Sequence, residues 1–166
     1  LRAYGRRMAT ELEVIDGYLF KARSPSCGIA RVKLFSQGRT RPRGTGLFAH
    51  EIMARRLLLP VMEEERLHDP AQRDNFFERV FAHRRWRRFL DAGCDAVRLR
   101  SFHADHKLSL MAHGAIYCRA GGRLAADVGG RRQPLLGDEY GAALMAALQH
   151  PATPSRQANV LQHLMG

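Results

Sequence analysis

At 166 residues with 45% hydrophobic side chains, the chain has apolar content for a packed core and the length of one ordinary domain, or of a smaller domain joined to part of another. No stretch approaches the ~18 consecutive apolar residues that span a membrane, and the start, LRAYGRRMATELE, lacks the apolar run of a signal peptide. Three widely spaced cysteines argue against a secreted disulfide framework and for the reducing cytoplasm, while a net charge of +11 raises nucleic acid as a partner.

The chain opens inside a helical pattern and without Met: Leu1, Tyr4, Met8, Leu12 and Ile15 recur at three- and four-residue steps, which reads as a piece of a longer protein. EVIDGYLFKAR then alternates and is rich in β-branched and aromatic residues, predicting a strand over 14–21 with an interruption at Asp16-Gly17. RSPSCG has the Pro, Ser and Gly of a tight loop and carries Cys27. IARVKLF, 29–35, is a second extended run, and SQGRTRPRGTG, 36–46, reads as a basic loop. GLFAHEIMARRLL returns to helical spacing and ends at Pro60. Helix, strand, loop and helix in this order predict an α/β layer of the parallel-sheet type, with functional loops at strand ends.

The character changes near residue 63, and the predicted boundary divides an α/β part, 1–66, from an all-α helical bundle, 67–166. Asp69 is the predicted N-cap and Pro70 the first residue of a helix that Gly93 stops. Further helices are expected over 96–117 and 138–149, with Thr153-Pro154 starting a last one. The glycine-rich stretch between residues 121 and 137 is the least decided.

Three groups of residues carry chemistry. In FHADHKLSLMAHGAIY, a continuous helix puts His103, His106, His113 and Tyr117 within about 80° of one another. That stripe, beside Lys107, suits a metal site, acid-base or anion-binding work, or a polar core in which every imidazole nitrogen finds a partner. Asn159 and His163, one turn apart, are placed to face it across the bundle. AHRRWRRF surrounds Trp86 with four arginines, either a base-stacking surface or a solvated helix face whose Trp is core. The positive excess is uneven: residues 1–60 hold 12 basic and 4 acidic side chains, and 61–166 hold 15 and 12. Any polyanion is therefore expected on the first segment, although an Arg-rich, Lys-poor composition is also what GC-rich coding yields.

Cys27 is the third group, either a small apolar side chain closing a strand or a thiolate presented on a loop. The stretches DGYLFKARSPSCGIARVKLF, GTGLFAHEI, LLPVMEEERLHDPAQRDNFFERVFAHRRWRRFL, FHADHKLSLMAH and NVLQHLMG together resemble a fusion of a TudS-like thiouracil desulfurase domain with a YbgA-type domain. The resemblance implies that Cys27 is the last of three cysteines holding a four-iron four-sulfur cluster, with Ser24 and Ser26 as hydrogen-bond donors to cluster sulfur. Three thiolates leave one iron open to the sulfur of a thiolated uracil, and water replaces that sulfur without net redox change. The other two cysteines and the acid-base glutamate are expected upstream of this chain, and Cys94 and Cys118 match no family ligand. On this reading the fragment alone is inactive and its substrate is a thiolated uracil base, nucleoside or tRNA residue. The YbgA-like half is implied to be cut short, with His103, His106, Lys107, His113, Asn159 and His163 as its motif residues. The alternative is a nucleic-acid or nucleotide-binding module without catalysis.

Overall fold

The computed structural model describes residues 1–36, 39–126 and 133–165. It divides into two units, Leu1–Val80 and Phe81–Gly166, and is mostly helical with a small parallel sheet.

In the first unit, helix α1 (Arg2–Glu11) packs on α2 (Leu47–Arg55). They approach closely because Gly5 has no side chain: a Cβ there would lie 2.9 Å from that of Glu51. Glu51 is buried and accepts from Arg6 Nε at 3.3 Å and from Arg55, so its charge is compensated on two sides. Strand β1 (Tyr18–Phe20) pairs in parallel with β4 (Val61–Glu63), Tyr18 opposite Val61 and Phe20 opposite Glu63. Ala9, Phe20, Phe48, Ala49, Ile52 and Leu59 form the core, and Tyr18, Cys27 and Ile29 pack against it. The predicted strand over 14–21 is thus three residues long.

The predicted basic loop over 36–46 is instead largely a strand. β3 (Arg39–Gly44) pairs antiparallel with β2 (Val32–Ser36), with an irregularity at Val32-Lys33. A two-stranded hairpin is all edge, so Pro42 removes no central ladder bond, which is why the Pro and Gly content misreads here. Gln37 and Gly38 of that predicted loop lie outside the described residues.

After a 3-10 turn over Glu64–His68, helix α3 (Pro70–Asp91) begins where the sequence places it. Asp69 Oδ1 accepts from the amides of Ala71 at 2.9 Å and Gln72 at 3.3 Å, and Gly93, at φ +97°, ends the segment. The helix expected over 96–117 is two helices, α4 (Ala96–His113) and α5 (Ala115–Ala126). Gly114, at φ +151°, makes the break, in a conformation that L side chains rarely adopt. Of the undecided stretch, 121–126 complete α5, 127–132 lie outside the described residues, and 133–137 open α6 (Gln133–Ala147). Helix α7 (Pro154–Met165) starts as expected, Thr153 Oγ1 accepting from the Arg156 amide at 3.4 Å. The second unit is organised around Trp86, whose ring lies 5.1–5.3 Å from Phe89, Phe102 and Tyr140. No described helix is long and apolar enough to cross a membrane.

Candidate functional site

The loop carrying Cys27 leaves the carboxyl end of β1, the end at which open parallel sheets bind ligands. Its own side chains shape it. Ser24 Oγ accepts from the Cys27 amide at 3.2 Å and lies 3.2 Å from Ser26 Oγ, which lies 3.4 Å from Cys27 Sγ. Read with every hydroxyl donating onward, these contacts run in one sense, from the amide of Cys27 back to its sulfur. The Ser26 carbonyl accepts from the Phe48 and Ala49 amides at 2.9 and 3.2 Å, which ties the loop to the first turn of α2. Burial first, and then the neighbouring Cys27, push the Tyr18 hydroxyl above its ordinary pKa of 10.0, so Tyr18 keeps its proton.

The three consecutive glutamates at the end of β4 grip the same loop. Glu63, 2% exposed, accepts from the amides of Ile29 at 2.9 Å and Ala30 at 3.3 Å. Glu64 accepts from the Ala22 amide at 2.6 Å and pairs with Lys21 at 3.0 Å. Glu65 takes Arg23 at 2.5 Å and Arg31 at 2.7 Å. Arg23 and Arg31 both sit at φ +56°, a left-handed conformation that non-glycine residues adopt at a cost, and Glu65 draws both guanidinium groups together beneath the loop. The bond from Ala22 and that from Arg23 hold the carboxyls of Glu64 and Glu65, respectively, below their ordinary pKa of 4.5. The sequence signals EEE strongly, but as a junction; its role as a clamp arises from pairing across more than thirty residues.

A four-iron cluster needs more than this chain's described residues offer. Cys27 is half-buried in the first unit, whereas Cys94 and Cys118 belong to the second. Among the described residues no three His, Cys, Asp or Glu side chains converge as a metal centre requires. These residues therefore do not fit a complete cluster, and no step through one is derived from them.

The histidines of the second unit do not converge either. His103 Nδ1 lies 3.0 Å from the Tyr140 hydroxyl, its ring against Gly121, where a Cβ would come within 3.1 Å of it. His106 Nδ1 donates to the Phe102 carbonyl at 2.7 Å, and Nε2 accepts from Arg85 Nε at 3.0 Å. His113 Nδ1 donates to the His150 carbonyl at 2.8 Å. Each ring thus has a hydrogen-bond partner of its own. Burial lowers the pKa of both His103 and His106 from 6.5, and both are neutral at pH 7. The helix break moves Tyr117 onto α5, where it is 39% exposed. Lys107 is exposed, as are Asn159 and His163 on α7; α7 engages α4 through Arg156 Nη1, which donates to the His113 carbonyl at 2.7 Å.

Trp86, at 1% exposure, is core and presents no face for a base to stack on. Its indole nitrogen has no partner among the described residues. What the arginine run does form is a cleft of about 580 Å³ between the second half of α3 and α4, lined by Arg85, Arg88, Phe89, Phe102, Asp105, His106 and Ser109. Sequence periodicity alone does not find it, because its residues come from two helices.

The family described as Protein of unknown function (DUF1722), which is YbgA-like, matches residues 107–166. That range takes in Lys107, His113, Tyr117, Asn159 and His163, while His103 and His106 fall just before it. No curated protein and no solved structure matches the chain. The comparisons lend the desulfurase resemblance no support.

Proposed function

We propose that residues 1–66 are the part of a thiolated-uracil desulfurase that contributes Cys27 as one thiolate of a four-iron four-sulfur cluster, the remaining thiolates coming from outside these 166 residues. One observation carries the reading: Cys27 stands at the carboxyl end of a parallel strand pair on a loop held by all three carboxylates of Glu63, Glu64 and Glu65. A thiol that only filled space at a strand end would need no such clamp. The residues of this chain position the sulfur: Ser26 aims a hydroxyl at Sγ, Ser24 fixes the amide of Cys27, and Tyr18 remains a hydrogen-bond donor nearby. In this reading Cys27 would be a ligand holding the cluster and not a nucleophile, and it forms no bond to substrate.

The test uses the full-length protein purified without oxygen. Iron-sulfur absorbance is expected, and Cys27→Ser should abolish it together with sulfide release from 2-thiouracil. Full absorbance in a correctly folded Cys27→Ser protein would remove Cys27 from the ligand set.

A further inference from the structure

The charged side chains that line the cleft in the second unit form no ion pair among the described residues. Arg85 and Arg88 stand one turn apart on α3, and neither pairs with a carboxylate among the described residues. Asp105, on α4 across the cleft, likewise has no ion pair there. Arg85 is not loose. Its Nε is spent on His106, a ring 7% exposed whose other nitrogen is fixed on the Phe102 carbonyl. The N–H groups left on Arg85 are its two terminal nitrogens, the fork that pairs with an oxyanion in two parallel bonds.

From this geometry we infer that the cleft binds a small phosphorylated ligand of the nucleoside monophosphate class, its phosphate on Arg85 and Arg88 and a hydrogen-bond-donating edge at Asp105. Two guanidinium groups match the charge of a phosphate monoester, nearly a dianion at pH 7. A phosphate also offers three terminal oxygens to the two guanidinium groups, where a carboxylate offers two. Asp105 opposite the pair disfavours a ligand that is anionic throughout and selects one that also carries donors, as a ring N–H, an exocyclic amine or a ribose hydroxyl does. The volume lies within the range of small-molecule sites. A polynucleotide fits less well, because Trp86, Phe89 and Phe102 are each no more than 8% exposed and offer no platform for successive bases.

The experiment is calorimetric titration of the whole chain with adenosine and uridine 5′-monophosphates, the two nucleosides, inorganic phosphate and a ten-nucleotide single-stranded RNA. At least one monophosphate should bind about tenfold or more tightly than its nucleoside, as expected for losing a charge-assisted bond. Arg88→Ala, at an exposed position, should weaken it by a similar factor without altering the thermal transition. Arg85→Lys should also weaken it, because an ammonium keeps the charge and loses the fork. Asp105→Asn should weaken the monophosphate and tighten inorganic phosphate, because the donor-accepting charge is lost together with its repulsion of the anion. Binding of no monophosphate, or the same affinity in Arg88→Ala, overturns the site. Inorganic phosphate binding as tightly as the monophosphates overturns the ligand class, and so does RNA binding tighter than that of the monophosphates which Arg88→Ala abolishes.

Discussion

Arg85 Nε donates to His106 Nε2 at 3.0 Å, while His106 Nδ1 donates to the Phe102 carbonyl at 2.7 Å, so the imidazole is held in one neutral tautomer and the guanidinium in one orientation. The ring also stacks on Phe102 at 4.1 Å and 21°. Burying an imidazole is costly unless both nitrogens are satisfied, and here both are.

His106→Ala should therefore destabilise the chain by about 2–3 kcal/mol, the sum expected for a buried cavity and two lost hydrogen bonds. Lys107→Ala, one residue on and exposed, should lie within about 0.5 kcal/mol of the wild type. Urea unfolding followed by circular dichroism measures both. Equal effects would mean that the face presented by α4, and not the pairing of His106, decides what the residue contributes.

Stability should fall with acid in two windows. His103 and His106 have lowered pKa values in the fold, so the unfolded chain binds protons more readily than the native one. Their contribution is complete above about pH 6.5 and is lost as pH falls through the lower native values. The groups facing these rings are Arg85, Asp105 and the Phe102 carbonyl at His106, and Lys107, Tyr140 and His106 itself at His103. Glu64 and Glu65 also titrate below their ordinary 4.5, and their contribution persists until pH falls under that value. Thermal unfolding from pH 8 to pH 3 should show both declines. The double variant His103→Gln, His106→Gln should flatten the first and leave the second.

Glu63→Gln tests the clamp on the cysteine loop. The carboxylate accepts two backbone amides at 2% exposure, and an amide side chain keeps one acceptor oxygen but loses the charge. Alkylation of Cys27, followed by peptide mass analysis to separate it from Cys94 and Cys118, should speed up severalfold in the variant. An unchanged rate would show that Ser24 and the first turn of α2 hold the loop without Glu63.

Local signals were legible where one residue and its near neighbours decide the outcome. Asp69-Pro70, Gly93 and Thr153-Pro154 start or stop segments by capping and backbone conformation, and each sits where the sequence puts it. Gly114 was not legible, because a glycine inside a helical pattern is ordinary until its φ is known. The histidine stripe illustrates a different limit. Helical spacing places His103, His106 and His113 near one another in angle, but their partners Tyr140, Arg85 and His150 come from outside α4, and periodicity says nothing of those. The glutamate clamp is hidden for the same reason, its partners lying 33 to 42 residues away. In AHRRWRRF the Trp that looks like the recognition element is core, and the arginines beside it carry the cleft.

Gly46 sets the last prediction, because it separates steric from conformational need. Its φ of −61° suits any residue, so backbone freedom does not require glycine here. Space does: a Cβ would lie 2.3 Å from the carbonyl carbon and oxygen of Ser26 and 2.6 Å from the Cys27 nitrogen, all backbone atoms that cannot rotate aside. At Gly114, by contrast, φ is +151° and a Cβ would meet the Tyr117 ring at 3.2 Å, an exposed side chain able to move. Gly46→Ala should cost about 3 kcal/mol or more, the upper range for overpacking, and should displace the Cys27 loop, raising Cys27 alkylation as Glu63→Gln does. Gly114→Ala should cost about 1–2 kcal/mol and leave Cys27 labelling untouched. Unfolding midpoints and labelling rates of the two variants, measured side by side, check both; a Gly46→Ala protein with wild-type labelling would show that the loop does not depend on this close approach.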